Sequence, residues 1–216
     1  MMRGSRLAVT SAVIALLACG GTAVAAAPRD AKPTTLVSFA KQLGITKAGT
    51  KYAFEKDDRT SDTLRLTVKL PKAWDDRADS HFVAPDTHDE YGVGVRATTN
   101  ADKFHNTTDV PGMRLTAAGL TPDELDQFDP AAAVSDNAPT GCRKHKIEPF
   151  DNGTYQGKVQ TFDRCDGKRG HAKIVVSAVA PSPGVEILLS AQVLTKSDLK
   201  ALDQILSTAT VEKTSV

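Results

Sequence analysis

The sequence is poor in aromatic residues and has almost no net charge, and the charge balance excludes one class of partner. Aromatic residues make up 5% of the 216 residues, with one tryptophan, and the formal net charge at pH 7 is +1. Proteins that bind nucleic acid carry a strong basic excess, so we expect no nucleic-acid partner. Apolar residues at 40% and charged residues at 25% are typical of one globular domain with a core of its own.

The chain also lacks the short motifs that accompany catalysis. It contains no G-x-S-x-G, H-E-x-x-H or Walker-type sequence, and no G-x-G-x-x-G follows a strand. Its five histidines never form a pair at ligand spacing, and we interpret the cluster of His81, Asp86, His88, Asp89 and Glu90 as a solvated acidic loop. We therefore expect a protein that is not an enzyme and that holds no metal or cofactor. A catalytic triad assembled from distant segments stays open, because triads are recognised by geometry.

The longest apolar run is too short to span a bilayer, and it lies at the N-terminus. Residues 7–18 carry no charge and follow Arg3 and Arg6. This pattern is typical of a signal peptide, which we assign to residues 1–25. Cleavage after Ala25 would release the remainder of the chain as a diffusible protein.

Cys19 offers a second interpretation of this segment. The sequence Leu16-Leu17-Ala18-Cys19, followed by two glycines, resembles the bacterial lipobox, in which the cysteine is lipidated and begins the mature chain. Each buried methylene of an acyl chain contributes about 0.8 kcal/mol, so two or three chains hold a protein at the membrane surface. We favour lipidation of Cys19, with residues 26–35 as a tether to a single domain of residues 36–216.

Cys142 and Cys165 are the only cysteines beyond the signal segment. Export places them in an oxidising compartment, where such a pair becomes a disulfide. The bond would close a loop whose entropy is worth about 3 to 4 kcal/mol. A metal or thiol-redox pair is the alternative, and it lacks the support of a C-x-x-C motif.

Alternating and β-branched runs predict an antiparallel sheet with helices packed on it. Residues 63–70 place four apolar side chains on one face, and residues 173–180 and 185–194 form the clearest hairpin, which we expect at the centre of the sheet. Further strands are predicted at 51–56, 91–97, 113–117, 143–147, 154–163 and 208–211, and a turn at 57–62. Helices are predicted over 36–43 and 102–104, and from Thr121 and Thr195, where capping residues precede them. The fold class is therefore α+β.

The near-zero total charge conceals two segments of opposite sign. Residues 75–136 contain 13 acidic and 4 basic residues, whereas residues 143–173 contain 8 basic and 4 acidic residues together with His145 and His171. We interpret the asymmetry as solvated surface, with a contact surface as the alternative.

Three segments, taken in order, carry a resemblance to a known family. They are LRLTVKLPKAW at residues 64–74, GC…RCDG around Cys142 and Cys165, and VLTKSDLKALDQIL at residues 193–206. They resemble small exported domains of actinobacteria and are similar to the PsbP-like fold of LpqN-type lipoproteins. The resemblance implies a PsbP-like α/β/α sandwich without established catalytic residues. It also implies that Cys142 and Cys165 correspond to the paired cysteines of the family.

The sequence therefore predicts an exported, non-enzymatic binding or scaffold module. Lipidated at Cys19, it would lie on the outer face of the cytoplasmic membrane, and its partner would be an envelope protein or a cell-wall component. Two alternatives stay open: a secreted hydrolase or its accessory subunit, and an extracellular sensor domain. A pocket holding His145 or His171 against a carboxylate and a serine would favour the hydrolase.

Overall fold

A computed structural model describes residues 33–83, 90–182 and 184–214. The predicted signal peptide, Cys19 and the tether up to residue 32 lie outside these residues. So do Asp86, His88 and Asp89 of the predicted acidic loop.

The described residues form an α+β fold, as the sequence predicts. Its strands are β1 (Phe54–Thr60), β2 (Leu64–Pro71), β3 (Asp76–Asp79), β4 (Phe82–Val83), β5 (Glu90–Tyr91), β6 (Val93–Thr98), β7 (Gly112–Gly119), β8 (Arg143–Asp151), β9 (Gln156–Asp163), β10 (Ala172–Ala180), β11 (Val185–Val193) and β12 (Thr210–Lys213). Its α-helices are α1 (Ala101–Asn106), α2 (Pro122–Gln127), α3 (Pro130–Asp136) and α4 (Lys196–Thr208), and 3-10 helices span Leu36–Ala40 and Cys165–Gly167.

The strands form two main antiparallel sheets. The larger has seven strands in the order β3-β6-β7-β11-β10-β9-β8, and the smaller has three in the order β1-β2-β12. Strands β10 and β11 pair along their whole length, from Ala172↔Val193 to Ala180↔Val185, and β11 is the central strand of the seven. The predicted central hairpin is therefore confirmed.

The main core lies between the seven-stranded sheet, β2 and α4. Alternate residues of β2 are fully buried, as predicted, because the period of two puts all four apolar side chains on one face. Helix α4 buries the stripe Leu199, Leu202, Ile205 and Leu206, also as predicted. Trp74 is completely buried in this core, with its ring centroid 5.7 Å from that of Tyr52.

A smaller apolar cluster lies on the opposite face of the seven-stranded sheet. Val134 of α3 packs there with Phe162 of β9, Val175 of β10 and Cys165. Because Val175 alternates with Ile174 and Val176 of the main core, the two clusters lie on opposite faces of β10. The disulfide thus belongs to the smaller cluster, at the open end of the β8–β9 hairpin.

Two predictions made from local pattern are wrong in detail. Residues 57–60, predicted as a turn, belong to β1, because this strand pairs with β2 from Phe54↔Pro71 to Thr60↔Arg65. β1 is an edge strand, where charged side chains reach solvent and Arg59 forms ion pairs with Asp57 and Asp79. The first predicted helix is a 3-10 helix that runs into a turn ending at Gly44, whose φ is +65°.

Candidate functional site

A strained turn follows β9 at the open end of the β8–β9 hairpin. Arg164 (φ 50°, ψ 37°) and Asp166 (φ 52°, ψ 29°) both adopt the left-handed conformation, although neither is glycine. Such residues cost about 1 to 3 kcal/mol each and persist only where their surroundings fix them. Here Cys165 between them is joined to Cys142 in the predicted disulfide, and the Asp166 N–H donates to the Gly141 carbonyl at 2.9 Å.

This turn meets the segment that follows the first 3-10 helix. Leu43 is buried and anchors that segment, and the Gln42 side-chain amide donates to the Thr161 hydroxyl of β9 at 2.9 Å. Gly170 lies next to this segment, because a Cβ built on it would be in van der Waals contact with the Gly44 carbonyl oxygen, at 3.7 Å. The N-terminal segment is thereby held beside the disulfide turn.

Two adjacent clefts open where these segments meet, and we call them together the basic cleft. The small cleft has a volume of about 170 Å3 and is lined by Lys41, Gln42, Leu43, Gly44, Arg143, Asp163, Arg164, Arg169 and Gly170. The large cleft has a volume of about 520 Å3 and is lined by Gly44, Thr46, Lys47, Asp109, Arg169, Gly170, His171 and Leu194. Gly44, Arg169 and Gly170 line both, so Arg169 lies at the boundary between them.

The two carboxylates in the lining are already paired with cations. Asp163 accepts two hydrogen bonds from Arg143, at 2.7 Å from Nε and 2.6 Å from Nη2. Burial raises the pKa of Asp163, but the hydrogen bonds and charge of Arg143 outweigh it, so the pKa lies below its ordinary value. Asp109 is 2.6 Å from the Lys168 ammonium, whose hydrogen bond lowers the pKa of that carboxyl.

Four cations in the lining have no such partner. Lys41, Lys47, Arg164 and Arg169 are exposed, and none lies within ion-pair distance of an acidic side chain in the described part of the chain. Like charges held close together raise the local concentration of anions. The arrangement can therefore bind an anion without first breaking an ion pair within the described residues.

His171 lies near a hydroxyl, that of Thr108, and a carboxylate, with its Nδ1 3.5 Å from Asp109 Oδ1. Its hydrogen bonds nevertheless do not match those of a base that activates a nucleophile. Its Nδ1 is 2.8 Å from the Thr108 carbonyl oxygen, which fixes Nδ1 as the donor. The Thr108 hydroxyl is 3.3 Å from the same nitrogen, and it donates instead to the Asp166 carboxylate at 2.8 Å. A nucleophilic hydroxyl would have to donate to the imidazole, so this contact is not an activated pair.

His145 lies in a different place and also contacts a carboxylate. Its Nε2 is 3.2 Å from Asp163 Oδ1, and its carbonyl accepts from the Gln160 side chain at 2.8 Å. Among the described residues, no serine hydroxyl forms a hydrogen bond with either His145 or His171. The arrangement expected for the hydrolase alternative is therefore not seen in the described residues.

The predicted site residues are only partly brought together. The basic segment contributes Arg143, Arg164 and Arg169 to the basic cleft, beside the predicted cysteine pair. Lys41 and Lys47 were not singled out by the sequence, because they lie about a hundred residues before the hairpin in a segment with no motif. The only sequence signal for their position is the helical spacing of the apolar residues in 36–43, which indicates that this segment packs against the core.

The described residues contain no group of three or more histidine, cysteine, aspartate or glutamate side chains placed to hold a metal ion. In this same part of the chain, no helix has both the length and the apolar character that a membrane span requires. No family model, curated protein or solved structure matches the chain.

Proposed function

We propose that the chain is an exported, non-enzymatic binding module of the cell envelope that holds an anionic partner in the basic cleft. The observation that carries this proposal is the convergence of Lys41, Lys47, Arg164 and Arg169, none of which has an acidic partner among the described residues. Isolated exposed cations are common, but four on adjoining clefts next to already neutralised carboxylates form a site for a multiply charged anion.

The strained turn supports the same function. Arg164 is held in an unfavourable backbone conformation next to the disulfide, and residues in that conformation cluster at ligand sites. A surface arginine without a role could be replaced by glycine at lower cost, because glycine adopts a positive φ freely. The position of Arg164 is therefore explained by the guanidinium that it presents to the small cleft.

Anchoring through Cys19 completes the proposal, with the membrane as one partner and an anionic envelope component as the other. The chain enters the fold at Thr34, whose N–H donates to the Asp151 carbonyl at 2.6 Å. Asp151 ends β8, and Arg143 of the basic cleft begins it, so roughly 26 Å of strand separates the two points. Thr34 therefore lies at the end of β8 opposite to Arg143 of the basic cleft. We also propose the PsbP-like arrangement of sheets and helices, on the sequence resemblance.

The test is a sedimentation assay with isolated bacterial envelopes and the full chain, purified in detergent after processing by a bacterial host. We expect Arg164→Glu/Arg169→Glu to abolish cosedimentation. Lys200→Glu/Lys213→Glu changes the charge equally on exposed residues outside the basic cleft and should behave as wild type. Equal cosedimentation of all three proteins would refute the basic cleft as the binding site.

A further inference from the structure

We infer that the anionic partner is a polymer of linked phosphate groups, and that the basic cleft holds two neighbouring phosphates of it, one on each side of Arg169. This inference rests on the proposed function and specifies the ligand of the same site.

The number of phosphates follows from the shape of the site. The small cleft offers Lys41 and Arg164, the large cleft offers Lys47, and Arg169 lines both. A single small anion occupies one cleft and leaves the cations of the other unneutralised. Two anions joined by a short linker fill both clefts while Arg169 is shared between them. The second anion then binds with the effective concentration of a tethered group, which raises the affinity without any new contact.

The chemistry of the donors favours phosphate over carboxylate. The Arg143–Asp163 pair is the example of carboxylate binding in this cleft. The two carboxylate oxygens of Asp163 accept hydrogen bonds from Nε and Nη2 of the single Arg143 guanidinium, at 2.7 and 2.6 Å. That pairing is planar and matches one guanidinium to one acid. Phosphate oxygens are arranged tetrahedrally, so donors from different segments that line one cleft, such as Lys41 and Arg164, can reach the same group.

Neither a bilayer nor a nucleic acid fits the lining equally well. The only large apolar side chain exposed in the described part of the chain is Tyr91, which does not line the basic cleft. Leu194 of the large cleft is partly buried, so no exposed large apolar side chain accompanies the cations for insertion into lipid. Apart from His171, the lining has no aromatic ring on which a base could stack. The lining therefore suits linked phosphates better than a lipid bilayer or a nucleic acid.

The test is calorimetric titration of the full, processed chain in detergent with poly(glycerol phosphate). Glycerol 1-phosphate is the single-anion control, and poly-L-glutamate is the polymer control that carries carboxylates. We expect the phosphate polymer to bind at least about tenfold more tightly than either control. With four cations engaged, raising salt from 50 to 200 mM should weaken binding roughly 50-fold.

The variants separate charge from geometry. Arg164→Gln/Arg169→Gln should reduce polymer affinity at least about tenfold. Arg164→Lys/Arg169→Lys keeps the charge and should give an intermediate affinity, because lysine cannot form the two-bonded fork. Lys200→Gln/Lys213→Gln, with the same loss of charge elsewhere, should bind as wild type. Thermal unfolding of each variant shows that the fold is kept.

Several outcomes would overturn the inference. Equal or tighter binding of poly-L-glutamate would show a general anion site, and tighter binding of oligo-dT would show a nucleic-acid site. Binding only to vesicles of phosphatidylglycerol, without affinity for the soluble polymer, would assign the cleft to lipid headgroups. In each case envelope cosedimentation that depends on the arginines would leave the proposed function standing. Loss of that dependence would end both proposals.

Discussion

Asp163 is a buried carboxylate whose ionised form helps to close the open end of the β8–β9 hairpin. It accepts the two hydrogen bonds of Arg143 and lies 3.2 Å from His145 Nε2. Because these contacts lower its pKa in the folded state, its contribution to stability is present above the pKa of the unfolded chain. The contribution is lost as the pH falls through the lower, folded-state pKa.

We predict that Asp163→Asn lowers the free energy of unfolding by about 1 to 2 kcal/mol at pH 7, because a neutral amide loses the charge-assisted fork. Urea denaturation at several pH values checks this. The difference from wild type should shrink as the pH falls below about 4, where the carboxyl of the unfolded chain begins to be protonated and unfolding is thereby favoured. Asp126→Asn, at an exposed position of α2, is the control and should show no such difference. A difference that does not depend on pH would contradict the role of the ionised group.

Arg164 is a residue at which stability and binding should change in opposite directions. Its positive φ favours glycine, and its guanidinium lines the small cleft. We predict that Arg164→Gly raises the free energy of unfolding by about 0.5 to 1 kcal/mol, since the strain of a Cβ in the left-handed region is removed. The same variant should bind poly(glycerol phosphate) several-fold more weakly. Denaturation measures the free energy of unfolding and calorimetry the affinity, on one preparation of the variant. A lower free energy of unfolding for Arg164→Gly would contradict the claim that the backbone of Arg164 is strained.

At the scale of the element, α4 depends on a buried cap. Asp198 is almost fully buried and accepts three hydrogen bonds, from the Tyr52 hydroxyl at 2.7 Å, the Leu194 N–H at 2.9 Å and the Thr195 N–H at 2.8 Å. Thr195 completes the capping box. The cap therefore joins the start of α4 to the residue that follows β11 and to Tyr52, which packs against the core, as well as satisfying the N-terminus of the helix.

We predict that Asp198→Ala lowers the free energy of unfolding by about 2 to 4 kcal/mol, because it leaves three buried donors without an acceptor. Thr195→Ala should cost about 1 kcal/mol, the usual effect of a lost cap. Thr121→Ala is the matched control. It removes the same capping box from α2, which has no buried residue, and should cost less than either change. Chemical denaturation of the three variants gives the order, and an equal loss for Thr121 and Asp198 would contradict the importance of burial.

The disulfide is the element that links stability to the proposed site. We predict that Cys142→Ala/Cys165→Ala lowers the free energy of unfolding by about 3 to 4 kcal/mol, because the loop between the cysteines is no longer closed in the unfolded chain. Without the bond, the left-handed turn loses one of its constraints. The polymer affinity should then fall several-fold under conditions in which the variant is still folded. An unchanged affinity would mean that the turn holds Arg164 without the disulfide.

Elements whose pattern is local were predictable from the sequence. The alternation in β2, the hairpin of β10 and β11, and the capping box before α2 are each specified by neighbouring residues. Helix α3 was missed, although Asp129 caps it and Pro130 begins it, because a run of three alanines gives no apolar stripe. The sequence signal for α3 was its cap.

The assembly of the basic cleft could not be predicted in the same way. Lys41 and Arg164 line the same cleft but are more than a hundred residues apart in the chain, and no local rule relates them. Only the packing of Leu43 in the core and the bond between Gln42 and Thr161 bring the two segments together. The uneven charge of residues 143–173 indicated a contact surface as an alternative, and the fold concentrates part of that charge at one end of a hairpin.

At the scale of the whole molecule, the proposed lipid anchor and the basic cleft have different tasks. Thr34 is bonded at the Asp151 end of β8, whereas Arg143 and the disulfide lie at its other end. Lipidation of Cys19 would then set where the protein is held, and the cleft would set what it binds.

This division of tasks predicts that Cys19→Ala changes the location of the protein without changing what it binds. In a bacterial host, the wild-type protein should partition into detergent and give a lipid-modified N-terminal peptide that begins at Cys19, because acyl chains supply about 0.8 kcal/mol per buried methylene. Cys19→Ala should move to the aqueous phase and keep its affinity for poly(glycerol phosphate). An unmodified wild-type peptide that begins at Ala26 would refute the anchor and establish a diffusible protein. That result would leave the binding proposal to be decided by the arginine variants alone.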